Sequence, residues 1–280
     1  MTEYKPENFP FYIMFESVTF DEDYHHEFKG HRSISVEELP PSCHRPNPSK
    51  QHFSSKVSFV SRQSRQCVSK ALNAFLNTGD GGCVYLGITD DGIVRGIQLT
   101  DFQQHHIELN VVDLMTRYSP PVPSDRIKIR FVPVITKAIT NVTAYLEKLK
   151  QNRIEHEFNM KPHIMRTYDM CWCDYDADIR MSHNKILAPY VVEIQVLKFE
   201  VPPVTVETIG YDYLKYFYPI YESEEDNCHF RREASVNNFS KQEIYAISMD
   251  ETETFCSKII NKLLKEKKQL QEENNTKMIL

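Results

Sequence analysis

The sequence predicts an α/β (α+β) fold, strands and helices sharing one domain, followed by a helical tail. Two observations carry the domain. Six of the eight glycines lie between Gly79 and Gly96, in the run AFLNTGDGGCVYLGITDDGIVRG. That run reads as a helix end (Ala74 to Thr78), a glycine turn, a buried strand (Cys83 to Ile88), an acidic turn and a second strand into Gly96. Two more stretches, Arg126 to Ile135 and Tyr190 to Phe199, have the composition and alternation of strands. A third observation carries the tail: Thr252 to Glu273 is rich in Lys and Glu, with a thin apolar seam of Phe255, Ile259, Leu263 and Leu270 interrupted by Glu266.

Residues 1–10 read as a loose lead, 11–248 as one domain with insertions at about 30–58 and 141–188, and 249–280 as the tail. Phe11 to Val18 opens the domain with a strand-like segment. Pro40, Pro41, Pro46 and Pro48 break any regular element in the first insertion. Arg62 to Leu76 is a helix with Val68, Leu72 and Phe75 on its apolar side. Ile107 to Met115 is helical and is stopped by Pro120, Pro121 and Pro123. The second insertion is polar, with a helix at Thr143 to Lys150. Glu222 to Asp226 reads as a solvated turn before Phe230-Arg231-Arg232. Ser240 and Glu243 then have capping-box spacing for a short helix over Lys241 to Ile247.

The bulk numbers exclude several classes. No apolar stretch reaches the roughly 20 residues of a membrane span. The first residues lack the apolar core of a secretory leader, and seven scattered cysteines do not form a disulfide framework. The expected location is the cytoplasm, with the nucleus as the alternative, and no membrane partner. A net charge of −6 argues against a protein that coats nucleic acid. Yet Leu39 to Gly79 holds no acid and six bases, Arg45, Lys50, Lys56, Arg62, Arg65 and Lys70. Such a local basic face suits a polyanion held at one place, or a merely solvated surface.

The chemistry concentrates in two acidic segments. Glu22 and Glu27 flank Asp-Tyr-His-His and are followed by Lys29. If residues 27–29 are a strand, Glu27 and Lys29 share a face and Phe28 points to the core. With Asp90 delivered by the glycine-rich turn, these acids make an oxygen-only set suited to Mg²⁺ or Mn²⁺. An exposed acidic loop is the bland alternative. No G-x-x-x-x-G-K-S/T or strand-G-x-G-x-x-G-helix pattern supports a nucleotide loop.

Glu22, Glu27-Phe28-Lys29, Ala74-Phe75-Leu76-Asn77-Thr78, Gly81-Gly82, Gly87-Ile88-Thr89-Asp90 and Gly92 to Gly96 resemble the AlbA-like (AlbA_2) domain of the schlafen family. Phe230 to Ser235, with Ser240 and Glu243, resembles that domain's closing strand and turn. The resemblance covers Phe15 to Leu99 and returns over 190–247. It implies a mixed sheet with flanking helices and, in the active branch, a metal-dependent endoribonuclease cleaving structured or precursor RNA. Its catalytic and metal-binding acids map onto Glu22, Glu27 and Asp90, with Asp91 the fallback for Asp90. Lys29, Arg62, Arg65, Arg231 and Arg232 are the expected RNA contacts, Arg231 having as its alternative an ion pair with the run 222–226. One lobe is present where larger relatives carry two, so a second schlafen-like chain is the implied partner. The alternative is a non-catalytic assembly or RNA-binding subunit of an RNA-processing complex.

The zinc of larger relatives follows a strand resembling 190–199; here Glu200 and Val201 stand there, so that zinc is not carried over. Cys171-Trp172-Cys173, with His163 and His183 nearby, offers a thiolate pair, but no second pair completes a standard pattern. The expectation is an aromatic-anchored insertion without zinc. His105-His106 reads as a capped helix start and His25-His26 as loop histidines able to touch a substrate.

Overall fold

A computed structural model describes residues 10–31, 67–157, 161–165, 171–183, 188–200, 219–224 and 226–279. Arg62, Arg65 and most of the first insertion lie outside the described residues. Two units are distinguished, 1–238 and 239–280.

The first unit is built on a mixed six-stranded sheet. Its strands are β1 (Tyr12–Ile13), β2 (His26–Lys29), β3 (Gly82–Leu86), β4 (Ile97–Leu99), β5 (Ile127–Ile135) and β6 (Ala188–Val196). They run in the order β1-β5-β6-β3-β2, and β4 also pairs with β6. β1 with β5 and β2 with β3 are parallel, while β6 is antiparallel to β3, β4 and β5. A separate two-stranded ribbon joins β7 (Cys228–Arg232) to β8 (Ser235–Phe239).

The pleat of the sheet divides the core. Val84, Leu86, Val192, Ile194 and Val196 join a cluster with α1 (Cys67–Thr78) and α2 (Asp101–Arg117). Cys83, Tyr85 and Val191 join Tyr12, Phe28, Val132 and Val134 in the other. Successive strand residues therefore serve opposite faces, which fixes the register. One polar group sits inside the second face: Glu193, 1% exposed, accepts from Tyr12 Oη at 2.7 Å and Arg130 Nε at 2.9 Å. Sequence reading had given Glu193 no role.

α1 carries its expected apolar residues, Val68, Leu72 and Phe75, fully buried. Its other side is buried too, through an i, i+4 row of Ser69, Asn73 and Asn77. Asn77 Nδ2 donates to the carbonyls of Tyr221 and His229 at 2.9 and 3.0 Å, and its Oδ1 accepts from Tyr221 N at 2.7 Å. Asn73 Oδ1 accepts from His229 N at 2.8 Å. The A-F-L-N-T segment is thus the dock for β7. Glu224 takes the Ser69 hydroxyl at 2.9 Å, so the run 222–226 is anchored here rather than merely solvated.

α2 starts six residues before the expected Ile107, because Thr100 and Gln103 close a reciprocal capping box. In the second insertion α3 (Val142–Glu157) outruns the predicted helix, and α4 (Trp172–Ser182) was not predicted. In the second unit a single helix, α5 (Lys241–Ile279), replaces the short helix and separate tail. It opens with the expected capping box of Ser240 and Glu243. Among the described residues no helix is long and apolar enough to cross a membrane.

Candidate functional site

β2 is the edge strand and pairs in parallel with β3, Glu27 opposite Val84 and Lys29 opposite Leu86. Phe28 is buried in the sheet's second core, so Glu27 and Lys29 face the α1 side, as alternation requires. β3 and β4 are two segments along one edge of β6, interrupted by the excursion 87–96. Gly87 and Gly96 close the neck of that excursion at φ +100° and +69°, where a Cβ on Gly87 would meet the Gly96 Cα at 3.1 Å. The loop hangs from a glycine hinge at the end of β3, and Asp90 is exposed on it.

The three acids differ in what holds them. Glu27 is almost buried, with a side chain 11% exposed. Its Oε1 meets Lys29 Nζ at 2.7 Å, and its Oε2 takes a hydrogen bond from Arg231 Nη1. Glu22 accepts the Phe28 backbone N–H at 2.7 Å and lies 3.8 Å from Lys29 Nζ. Burial, together with the neighbouring charges of Glu27 and Asp90, raises the Glu22 carboxyl above the usual range despite the Phe28 hydrogen bond. Among these influences on Glu22 the Asp90 charge is the weakest, behind burial, the Phe28 hydrogen bond, Glu27 and Lys29. Asp90 itself accepts no hydrogen bond from the described residues.

The adjacent acid, Asp91, has a turn-forming role. Its carboxylate accepts the Thr89 hydroxyl and the Ile93 backbone N–H, and the Thr89 bond lowers its pKa. Asp91 is the fallback for Asp90 in the family resemblance; of the two, Asp91 is the one bonded within its own turn.

The basic residues also divide. Arg231 comes from β7 with its side chain wholly buried. Nε and Nη2 donate to the carbonyls of Asp23 and His26, each at 2.7 Å, and the guanidinium lies 4.9 Å over the Phe75 ring. Such a guanidinium is not presented to an RNA backbone. It is the post that orients Glu27, and its carboxylate partner is Glu27 rather than the run 222–226. Arg232, the next residue, is exposed. Of the two loop histidines, His26 is half-buried against Phe20 and bonded to Asp23 at 2.8 Å, burial lowering its pKa. His25 is exposed, its ring 3.2 Å from the Gly81 carbonyl.

The carboxylates suit a hard divalent ion by chemistry: oxygen donors only, and mutual repulsion that a cation would relieve. As placed, the three carboxylates are not gathered into a ligand group, however. Among the described residues the side chains so gathered are His106, His163, Cys171 and Cys173, with ligand atoms all within 4.8 Å of one another. His183, paired with the cysteines on sequence grounds, is instead exposed at the end of α4, its ring bonded to the Ile179 carbonyl.

The motif residues thus have physical tasks that belong together. Asn73 and Asn77 dock β7, β7 delivers Arg231, Arg231 holds Glu27, and the glycine neck presents Asp90 on an exposed loop. Residues 22–240 match the family model described as Schlafen, AlbA_2, and the chain belongs to the schlafen family.

Proposed function

We propose that the chain is a metal-dependent endoribonuclease subunit that cleaves structured or precursor RNA together with a second schlafen-like chain. The family includes nucleases and other RNA-related proteins, and the observation that favours cleavage is the pairing of Glu22 and Glu27 around Lys29, with Asp90 exposed on the loop that follows β3. A Mg²⁺ or Mn²⁺ held by those three acids would neutralise charge on the attacking and leaving oxygens of a phosphodiester. Lys29 screens Glu22 and Glu27 from each other, and in this reading its ammonium would offset charge on a phosphate. Arg231 is a positioning residue that fixes the Glu27 rotamer, and exposed Arg232 is available to the RNA backbone. The partner half of the proposal is supported by α5, whose Ile259, Ile260, Leu263 and Leu264 are 42–57% exposed.

A second reading, a non-catalytic assembly subunit, has a specific observation in its favour. Glu27 neutralises a buried arginine and Glu22 caps a backbone N–H, so both have work to do in a lobe that cleaves nothing. Asp90 has no such work and discriminates the two. The test is manganese-dependent cleavage of structured RNA by the purified chain, alone and with a schlafen-like partner, alongside Asp90→Asn and Glu22→Gln variants. The nuclease reading expects both variants to bind RNA like wild type and to lose cleavage by at least about 100-fold. Cleavage that survives in Asp90→Asn leaves the assembly reading.

A further inference from the structure

We propose that His106, His163, Cys171 and Cys173 form a structural zinc site that fastens the second insertion to the N-terminal half of α2. The site is separate from the carboxylates and does not depend on their function.

The geometry is that of a ligand set. His163 Nδ1 stands 3.4 Å from Cys171 Sγ, and His106 Nδ1 stands 3.6 Å from Cys173 Sγ. A tetrahedron with Zn–S of about 2.3 Å and Zn–N of about 2.0–2.1 Å has edges of roughly 3.3–3.8 Å, so both pairs already span such an edge. Both cysteines are buried and both histidines half-buried. Two thiolates and two imidazoles are the soft and borderline donors that select zinc, and two thiolate charges cancel those of the ion. Four protein ligands leave no open position, which makes the site structural rather than catalytic.

The surroundings orient the ligands. His163 Nε2 lies 3.0 Å from His105 Nδ1, so its outer nitrogen has a partner while Nδ1 faces the thiols. Trp172 stacks on the His163 ring at 5.1 Å and packs edge-on against Phe102 at 4.8 Å. Gln103 of α2 donates to Asp174 of α4 at 2.8 Å beside the cluster. These contacts bring the two segments together where the ligands meet. C-x-C is a tight clip in sequence, and the fold supplies its second pair from His106 and His163.

The test uses the full chain purified without chelator. Elemental analysis should find about one zinc per chain. After removal of that zinc, added Co²⁺ should give thiolate-to-cobalt charge transfer in the near ultraviolet and the ligand-field bands of a tetrahedral site. Cys173→Ser and His163→Ala should lose the zinc, whereas His183→Ala and Glu22→Gln should keep it. A folded wild-type chain, judged by circular dichroism, that binds neither ion would overturn the proposal in favour of thiol–imidazole hydrogen bonds alone. Full zinc content in Cys173→Ser would overturn it as well, and a Cys171–Cys173 disulfide in freshly purified protein would do the same. A zinc-loaded wild-type chain that cleaves no RNA, alone or with its partner, would count against the nuclease reading and leave this site standing.

Discussion

The carboxylate locality at the β2 edge and the thiol–imidazole cluster between α2 and α4 are both assembled from distant segments, but by opposite means. Around Glu22 and Glu27 the chain brings its own cations, Lys29 and Arg231, and every buried charge has a named partner. Around Cys171 and Cys173 it brings two thiols and two imidazoles, set close together and linked by thiol–imidazole contacts. The first locality is self-supporting, so part of its motif reflects folding. The second, in the reading proposed above, would gain stability from an ion that its four donors hold.

The strongest way to break that contrast is to remove the negative charge that Arg231 faces. Glu27→Leu leaves a fully buried guanidinium with only carbonyl partners, and unfolding free energy should fall by about 3–5 kcal/mol in a denaturant titration. Zinc content of the folded fraction should not change. A drop below about 1 kcal/mol would mean that Arg231 is not the structural post described here. The same reasoning makes any Glu27 variant a poor probe of catalysis, since lost activity would follow from lost structure. Asn77→Leu comes next: it strips Tyr221 N of its acceptor and the His229 carbonyl of a donor, at about 2–3 kcal/mol.

Sequence reading names Glu22, Glu27 and Lys29 together, and three of the four thiol–imidazole donors, Cys171, Cys173 and His163, but not His106 with them. Glu22, Glu27 and Lys29 sit within eight residues on a turn and a strand whose alternation is readable, and the glycines that frame Asp90 are forced by backbone geometry. β3, β5 and β6 are legible from apolar composition and alternation, and β7 from the family resemblance of Phe230 to Ser235. Arg231's role was not, because the Glu27–Arg231 pair spans 204 positions and strand pattern says nothing about which face meets α1. His106, the fourth donor of the cluster, is hidden for a related reason. His106 lies on α2, 57 positions before His163, and a histidine on a helix looks the same in sequence whether it faces solvent or a thiol. α4 itself has weak apolar periodicity, burying only Cys173 and Ala177.

The dock that carries Arg231 can also be probed by acid. Burial, with Lys70 nearby, lowers the pKa of His229 to about 4, while the unfolded chain keeps it near its ordinary 6.5. The unfolded state therefore binds more protons between those values, and the stability His229 contributes above pH 6.5 is lost as pH falls toward 4. From pH 7 to 4.5 that loss should be about 2 kcal/mol, seen in denaturant midpoints. His229→Gln should flatten the profile over this window. An equally steep profile in the variant would assign the acid sensitivity elsewhere.

Glu22 gives the smallest effect and the sharpest separation of folding from function. Its carboxyl is raised above 4.5 by burial and by Glu27 and Asp90, so the native state holds its proton more tightly than the unfolded chain. Below the unfolded pKa this favours folding; as pH rises through the folded pKa the benefit is lost, and at neutral pH the ionised group opposes the fold. Gln at this position keeps an oxygen for the Phe28 N–H and removes the charge. Glu22→Gln should then match or exceed wild-type stability at pH 7, within about 0.5 kcal/mol, and lose its advantage at pH 4. A marked loss of stability at pH 7 would show that Glu22, like Glu27, is held for the fold. Unchanged or improved stability leaves a charge that folding does not require, in the place where the proposed chemistry does.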